Sequence, residues 1–567
     1  MAEKKIKWTK QQKRAITARG SDVLVTASAG TGKTAVLSGR CVDIVGGKTD
    51  VWSMLVLTFT EMAAEQMRSR IAAQLRDAFL KNRDPHLRHQ LILLQGADIS
   101  TIHSFCKRLI TEYFYKLGLD PTFRVIDADE AGLLKAEVLE KTIDWAWEQS
   151  NLTTVLRQLL SRRDLRANDG FLSKVIQISD FLDTVVSRQN WYEQATVLAD
   201  AANPFATSLG QKQKKIITEK LDHILNQLQH ARKLYQNDVP DGDWTTHCED
   251  TFIRPVAQCI KLLKAGDWNT CAEQIRNFSK PRVNKPKDTS KSVADLIQKT
   301  VKNAVDSFEK LSELAIINPD YLDMVGGSAS LQTKVLIELV KKFEAFYSDV
   351  KRAINCLDFA DLEHYALRLL AADVSSDNPS PSETALALRR RYEYIFVDEY
   401  QDINPVQQAI LDMLSCEGNV FVVGDVKQSI YAWRGADPEI FINHLKPASV
   451  DPSDVKTGLR VDLNTNFRSV KGILDFVNKI FTKVMTSSFA KIDYDESAKL
   501  KPAIEDKSKT QAPPDGKPVV EFHILDETGS VQDLQNQENI ESGGYEDTDI
   551  VTARQRQAAM IARRITK

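Results

Sequence analysis

Eight consecutive residues, Ala27, Ser28, Ala29, Gly30, Thr31, Gly32, Lys33 and Thr34, have the types and spacing of a phosphate cradle. They follow the apolar run Val23–Ala27 and open a helical pattern, the strand-to-helix setting that a phosphate-binding loop requires. Gly30 and Gly32 allow backbone N–H groups to turn inward around phosphate oxygens, and the positive end of the following helix reinforces them. Lys33 would bring its ammonium to the β- and γ-phosphates, with the Thr34 hydroxyl on Mg²⁺. The first position is Ala27 where the stricter pattern has glycine. The complement of such a loop is a carboxylate at the end of a buried strand, and the run Tyr394-Ile-Phe-Val-Asp398-Glu399 supplies two. Asp398 can hold Mg²⁺ through water, and Glu399 can take a proton from an attacking water. The expected ligands are ATP and Mg²⁺.

These groups need elements to hold them. Five short runs lack polar alternation and are bounded by turn residues, which predicts strands buried on both faces: Val23–Ala27, Leu55–Phe59, Asp98–Thr101, Ile395–Asp398 and Val420–Val423. Helical patterns follow several of them, as in Thr34–Cys41 and Met62–Leu75. That alternation predicts an α/β fold with a parallel sheet flanked by helices. The strands fall in two groups separated by the 288 residues from Lys107 to Tyr394. No loop is that long, so a large helical insertion is expected between them. Ile217, Leu221, Ile224, Leu225, Leu228 and Ala231 make one apolar helix face there, and Leu336, Leu339, Phe343, Tyr347, Val350 and Ile354 make another. Within it, Ser279–Ser292 is expected as an exposed basic loop, either solvated or touching a phosphate backbone. Beyond a Lys- and Pro-rich linker, Lys501–Lys517, a strand is expected at Pro518–Leu525, an acidic loop at Asp526–Asp549 and a helix at Thr552–Ile565.

Composition sets the outer bounds. The chain has 567 residues, 43% of them hydrophobic, and a formal net charge of −2. That balance excludes nucleic-acid binding by bulk positive charge but leaves local patches open. Residues 1–120 carry 19 Lys and Arg against 11 Asp and Glu, so a polyanion would meet this end of the chain. Seven scattered cysteines with no CxxC pair argue against a disulfide framework or a structural zinc site and point to a reducing compartment, the cytoplasm. No apolar run approaches the ~18 residues of a membrane span, so no membrane partner is expected.

Further along, ordered motifs carry a resemblance. Trp8–Ile16, with Gln12, is similar to an adenine-reading Q motif, and Leu57–Met67 and Thr101–Phe105 are similar to motifs Ia and Ib. Val397–Asp402, Val423–Ala436 and Asn466–Ser469 match motifs II, III and IV. Together they resemble superfamily 1 DNA helicases of the UvrD/Rep type. Within that group, the phrases Ile99–Cys106, Leu119–Arg124 and Asp358–Tyr365, with the long helical insertion, look most like the AddAB helicase–nucleases. The likeness is to the N-terminal half of their A-type chain, AddA.

The resemblance implies a RecA-like P-loop NTPase core with an incomplete second RecA-like domain. Residues 1–125 would be the first part of the first domain, 126–374 the insertion, 375–450 the second part with motifs II and III, and 451–567 the partial second domain with motif IV. Motifs V and VI and a nuclease domain are not in this sequence. Carried over residue by residue, Gln12 reads adenine, Phe467 stacks on it, Gln428 senses the γ-phosphate, and Arg468 acts as an arginine finger. Phe59, Tyr431 and Trp433 become base-stacking platforms for single-stranded DNA, and Thr58, Thr60, Thr101 and His103 hold its phosphate backbone. Read alone, Phe59 and Trp433 fit a packing core better, and His103 shows no partner carboxylate and no metal-ligand spacing.

The implied activity is an ATP-dependent 3′→5′ DNA helicase or translocase in double-strand-break repair and recombination. It would act at DNA ends as one half of a heterodimer, whose other half is the B-type helicase–nuclease chain. Three alternatives stay open: a nucleotide- and DNA-binding module without turnover, a repair helicase outside any nuclease complex, and a structural component of a larger assembly.

Overall fold

Strands such as Val23–Ala27 and Met54–Thr58 are apolar but for one threonine each because neighbouring side chains enter two different cores. In the computed structural model, Leu55 and Leu57 pack on one face of the sheet, while Met54 and Val56 pack on the other. The same split separates Ile395 and Val397 from Phe396, and Val422 from Phe421 and Val423. Burial on both faces is what a parallel sheet between helical layers demands.

The structure describes residues 8–503 except 161–169, 201–206, 241, 315–316, 318, 452, 454–455 and 491, together with residues 520–521, 523, 557–558 and 560–562. The side chains of residues 160, 319–329 and 488–489 are also outside the description. The sequence expectation for Asp526–Asp549 lies outside the described residues, as do most of those for Pro518–Leu525, Thr552–Ile565 and the linker; residues 520–521 and 523 are not in a strand, and residues 557–558 and 560–562 are helical. The chain divides into two units, Met1–Leu463 and Asn464–Lys567.

In the first unit the strands are β1 (Val23–Ala27), β2 (Met54–Thr58), β3 (Asp98–Thr101), β4 (Arg124–Val125), β5 (Cys356–Leu357), β6 (Tyr394–Val397), β7 (Val420–Gly424) and β8 (Leu459–Leu463). Six of them form one parallel sheet in the order β3-β2-β6-β7-β1-β8. The five expected strands are all present. The sixth, β8, lies beyond the expected domain boundary at residue 450 and pairs with β1 from Val23↔Leu459 to Ala27↔Leu463. The register aligns the carboxyl ends of the strands, with Thr26 beside Gly424, Leu57 beside Val397 and Thr58 beside Thr101. Open α/β sheets place their chemistry along such an edge.

The insertion leaves and rejoins the sheet through a two-residue parallel ladder between β4 and β5. It holds two separate apolar clusters. One gathers Val138, Leu156, Val175, Leu339 and Phe343; the other gathers Leu221, Leu228, Tyr235, Ile297, Val301 and Phe308. Ile354, expected on an apolar face, is 45% exposed. The insertion also ends earlier than expected. The helix Phe359–Leu370 buries Leu362, Ala366, Leu367 and Leu370 in the core under the sheet.

The basic loop is exposed, and two of its five cations are engaged in ion pairs. Lys280 pairs with Asp306 at 2.6 Å and Glu309 at 2.9 Å, and Lys285 pairs with Asp295 at 2.5 Å. Among the described residues no helix is long and apolar enough to cross a membrane.

In the second unit β9 (Thr465–Asn466) pairs in parallel with β10 (Lys501–Pro502). The helix Lys471–Val484 is tied to the following chain by Asn478, which accepts from the Tyr494 hydroxyl at 2.8 Å and donates to the Leu500 carbonyl at 2.9 Å.

Candidate nucleotide and nucleic-acid site

β1 ends at Ala27, and the chain turns through Gly30 (φ 75°) and Gly32 (φ 89°) before the helix Lys33–Gly46 begins. Both glycines sit in the left-handed region, which side chains rarely enter. The loop is closed on itself by the Thr31 hydroxyl, which donates to the Ser28 carbonyl at 2.7 Å. Ser28 and Thr31 are buried.

Gln12 braces this loop from outside. Its Oε1 accepts from the Thr9 N–H at 3.0 Å, and its Nε2 donates to the Thr31 carbonyl at 3.0 Å. Both ends of the amide are engaged, the first as half of a capping box on the helix Lys10–Thr17. Gln12, expected from sequence to read adenine, here holds the phosphate loop to the helix Lys10–Thr17.

The phosphate-facing side chains converge. Lys33 Nζ lies 2.7 Å from Glu399 Oε2 and 3.4 Å from Gln428 Oε1. Gln401, almost fully buried, donates to the same Glu399 oxygen at 3.0 Å and accepts from the Asp425 N–H at 2.8 Å. Gln428 Nε2 donates to Asp425 Oδ2 at 2.7 Å, and Lys427 pairs with Asp425 at 2.6 Å. Sequence reasoning gives no role to Gln401 or Asp425. Their signal is that of polar residues following two buried strands, inside motifs whose other members carry the recognisable chemistry.

Asp398 closes β6, with its Oδ1 accepting from the Glu399 N–H at 3.0 Å. Glu399 itself has φ 50°. Burial, and then the Glu399 charge, push the Asp398 carboxyl up to about 6, with Lys33 opposing. A buried carboxylate with this penalty is a good seat for a cation, and Thr34 in the first turn of the neighbouring helix can join it. The donor set fits Mg²⁺, which takes few protein oxygens and keeps water and phosphate as its other ligands. Among the described residues no group of three or more His, Cys, Asp or Glu could hold a metal ion.

The raised carboxyl has a measurable consequence. Because the folded state binds this proton more tightly than the unfolded chain, ionised Asp398 costs stability above pH about 6, and the cost fades as pH falls toward 4. Without nucleotide or metal, Asp398→Asn is expected to raise the thermal unfolding midpoint at pH 8, with a smaller gain at pH 5.

The other half of the sheet edge carries the nucleic-acid candidates. Phe59 is 38% exposed and Trp433 74% exposed, so neither is a core residue. Phe59 and Tyr431 lie 4.7 Å apart between ring centroids, and Tyr431 and Trp433 lie 6.3 Å apart. The Arg434 guanidinium sits over Trp433 at 4.7 Å. The threonines are less available. Thr58 is buried and donates to the Thr60 carbonyl at 3.0 Å, Thr60 caps the helix Glu61–Asn82, and the Thr101 hydroxyl donates to Glu61 at 2.7 Å.

His103 does have a partner carboxylate, contrary to the sequence expectation. Its Nε2 is 2.9 Å from Glu363 Oε1, which leaves only the Nδ1 edge for a phosphate. Burial pushes Glu363 up, but His103 and the amides of Asn404 (2.8 Å) and Gln407 (2.6 Å) outweigh it and hold the carboxyl below its usual range. The two partners are 260 positions apart, so spacing could not reveal them.

Phe467 and Arg468 lie in the second unit, where the Arg468 and Ser469 N–H groups both donate to Asn466 Oδ1 at 2.8 Å.

Comparison with known proteins gives one consistent answer. The family model described as UvrD/REP helicase N-terminal domain matches residues 8–448. A protein of Syntrophomonas wolfei, named as the A-type chain of an ATP-dependent helicase/nuclease, is 35% identical over 88% of this chain and 40% of its own length. Proteins of the same name from Anoxybacillus flavithermus and Desulforamulus reducens are 34% and 32% identical over 98% and 99% of this chain, and 46% of theirs. The chain therefore spans less than half the length of these relatives.

Proposed function

The chain belongs to the UvrD/REP helicase family, and on that premise we propose that it is the ATP-hydrolysing part of a DNA motor moving 3′→5′ on single strands. The observation that carries the reading is the meeting of Lys33, Glu399 and Gln428 at one sheet edge, with Gln428 three residues before the half-buried aromatic Tyr431. A group that touches the phosphate-binding lysine is thereby on the same short segment as the proposed base platform.

In this reading the ATP phosphates compete with Glu399 for the Lys33 ammonium. Glu399, released, takes the proton of the attacking water as its oxygen bonds to the γ-phosphorus and the β–γ bridging oxygen leaves with the bond pair. Thr34 and Asp398 would hold Mg²⁺, which would supply neutralisation of phosphate charge. Gln428 passes the loss of the γ-phosphate to the loop that carries Tyr431 and Trp433, and closure and release of that contact drive the step. The proposed roles of Arg468 as arginine finger and Phe467 as adenine stack rest on the motif alone.

The relatives' name supports placing the chain in a helicase–nuclease of more than one chain; action on DNA ends in break repair, with a B-type chain in the bacterial cytosol, is carried by the motif resemblance. Two experiments test the motor. Removal of streptavidin from the 3′ or 5′ end of a biotinylated oligonucleotide reads direction, and displacement at the 5′ end alone is expected. Trp433→Ala is expected to weaken oligo(dT) binding by about 5- to 160-fold, since one base–aromatic stack is worth ~1–3 kcal/mol. Unchanged binding would remove Trp433 from the platform.

A further inference from the structure

The loop that carries Tyr431 and Trp433 is tied at its ends, by Tyr431 against Phe59 and by the Asp437 N–H, which donates to the Ile403 carbonyl at 2.9 Å. The short turn Ala432–Arg434 buries no side chain, and its backbone bonds are local, from Arg434 N–H to Tyr431 O at 2.8 Å and from Gly435 N–H to Ala432 O at 3.0 Å. One further contact bears on the turn between those ends. That contact comes from the helical insertion, at Gly435. Gly435 has φ 81°, and a Cβ built on it would lie 2.2 Å from Thr184 Cγ2, far inside any real contact. The Thr184 methyl therefore rests directly on the loop's backbone.

Thr184 is itself held on both sides. Its N–H and hydroxyl donate to the Phe181 carbonyl at 3.0 and 2.9 Å. The turn around it is anchored to the sheet layer at several points. His364 Nε2 donates to the Asp183 carbonyl at 3.0 Å, Val186 packs against the core under the sheet, and the Ser187 hydroxyl donates to the Ser375 carbonyl at 2.9 Å. His364 is the neighbour of Glu363, which holds His103. One helix, Phe359–Leu370, thus grips both the insertion's turn and a candidate DNA contact.

We propose that Thr184 is a positioning residue for the aromatic loop. Through the turn 183–187, the insertion sets the height at which Tyr431 and Trp433 meet single-stranded DNA. The proposal rests on the stacking role given above.

The test is anisotropy of fluorescein-labelled oligo(dT) titrated with the full chain, beside ATPase without DNA. Thr184→Gly is expected to raise the half-saturating protein concentration about tenfold, with DNA-free ATPase unchanged. Thr184→Ser keeps the hydroxyl and loses only the resting methyl, so it shifts binding the same way by about threefold, the scale of one lost methyl contact, and carries the test if the glycine variant does not fold. Thr184→Val, which keeps the methyl, binds as the unmodified chain does. Gly435→Ala weakens binding through the collision, and adding Thr184→Gly to it restores part of the loss. Binding unchanged in Thr184→Gly and Thr184→Ser, or no recovery in the double variant, overturns the proposal. Trp433→Ala in the same assay separates the two readings. If it weakens binding while the Thr184 variants do not, the positioning role alone fails; if it has no effect, the stacking role fails and takes this proposal with it.

Discussion

Lys33→Ala lowers DNA-stimulated ATP turnover by about 10²–10³-fold, the scale expected when one preorganised charge on a transferring phosphoryl group is lost. The Lys33 side chain is only 12% exposed, and its ammonium is held between Glu399 and Gln428. Nothing else among the described residues brings a cation to that point of the loop. The substitution also leaves Glu399 and the buried Asp398 facing each other with only the weaker pull of Arg70 against their charge, which raises the cost of binding a polyanion. ATP affinity therefore falls along with turnover. Phosphate release at saturating oligo(dT), with nucleotide binding measured separately by calorimetry, checks both halves.

Glu399→Gln gives the opposite split. Turnover falls by about 10²–10⁴-fold, the contribution of a positioned general base, while nucleotide affinity holds or improves. The amide keeps the carboxylate's shape and can still accept from Gln401 Nε2, so the link to Asp425 and the aromatic loop survives. What it loses is the charge that engages Lys33 at 2.7 Å, and a released ammonium is a better phosphate ligand. Binding of a non-hydrolysable ATP analogue at wild-type strength or tighter, with kcat nearly abolished, is the expected pair of results. If affinity and turnover fell together, Glu399 would be structural.

The site's covalent neighbours are legible in the sequence; its distant pairings are not. The P-loop and the acidic pair can be read because each is a local run flanked by an apolar strand. The five strands are legible because burial on both faces removes polar residues from them. β8 is hidden because Arg460 and Asp462 break its apolar run. Both are half-buried, and the Asp462 carboxylate accepts from Arg460 at 2.8 Å and from Thr26 on β1. A boundary at residue 374 puts the helix Phe359–Leu370 in the insertion because its periodicity is that of any amphipathic helix, and periodicity does not say which core a face enters. The His103–Glu363 pair and the rest of Thr184 on Gly435 depend on folding across hundreds of residues. Glycine at 435 and glutamate at 363 look ordinary until their partners arrive.

The central claim is that the site around Lys33 hydrolyses ATP in response to single-stranded DNA. Steady-state ATPase of the 567-residue chain with and without oligo(dT) tests it most directly. The account predicts turnover that oligo(dT) stimulates and Lys33→Ala lowers by about 10²–10³-fold. ATP and DNA bound without any turnover would contradict it, and would make the chain a binding module rather than a motor.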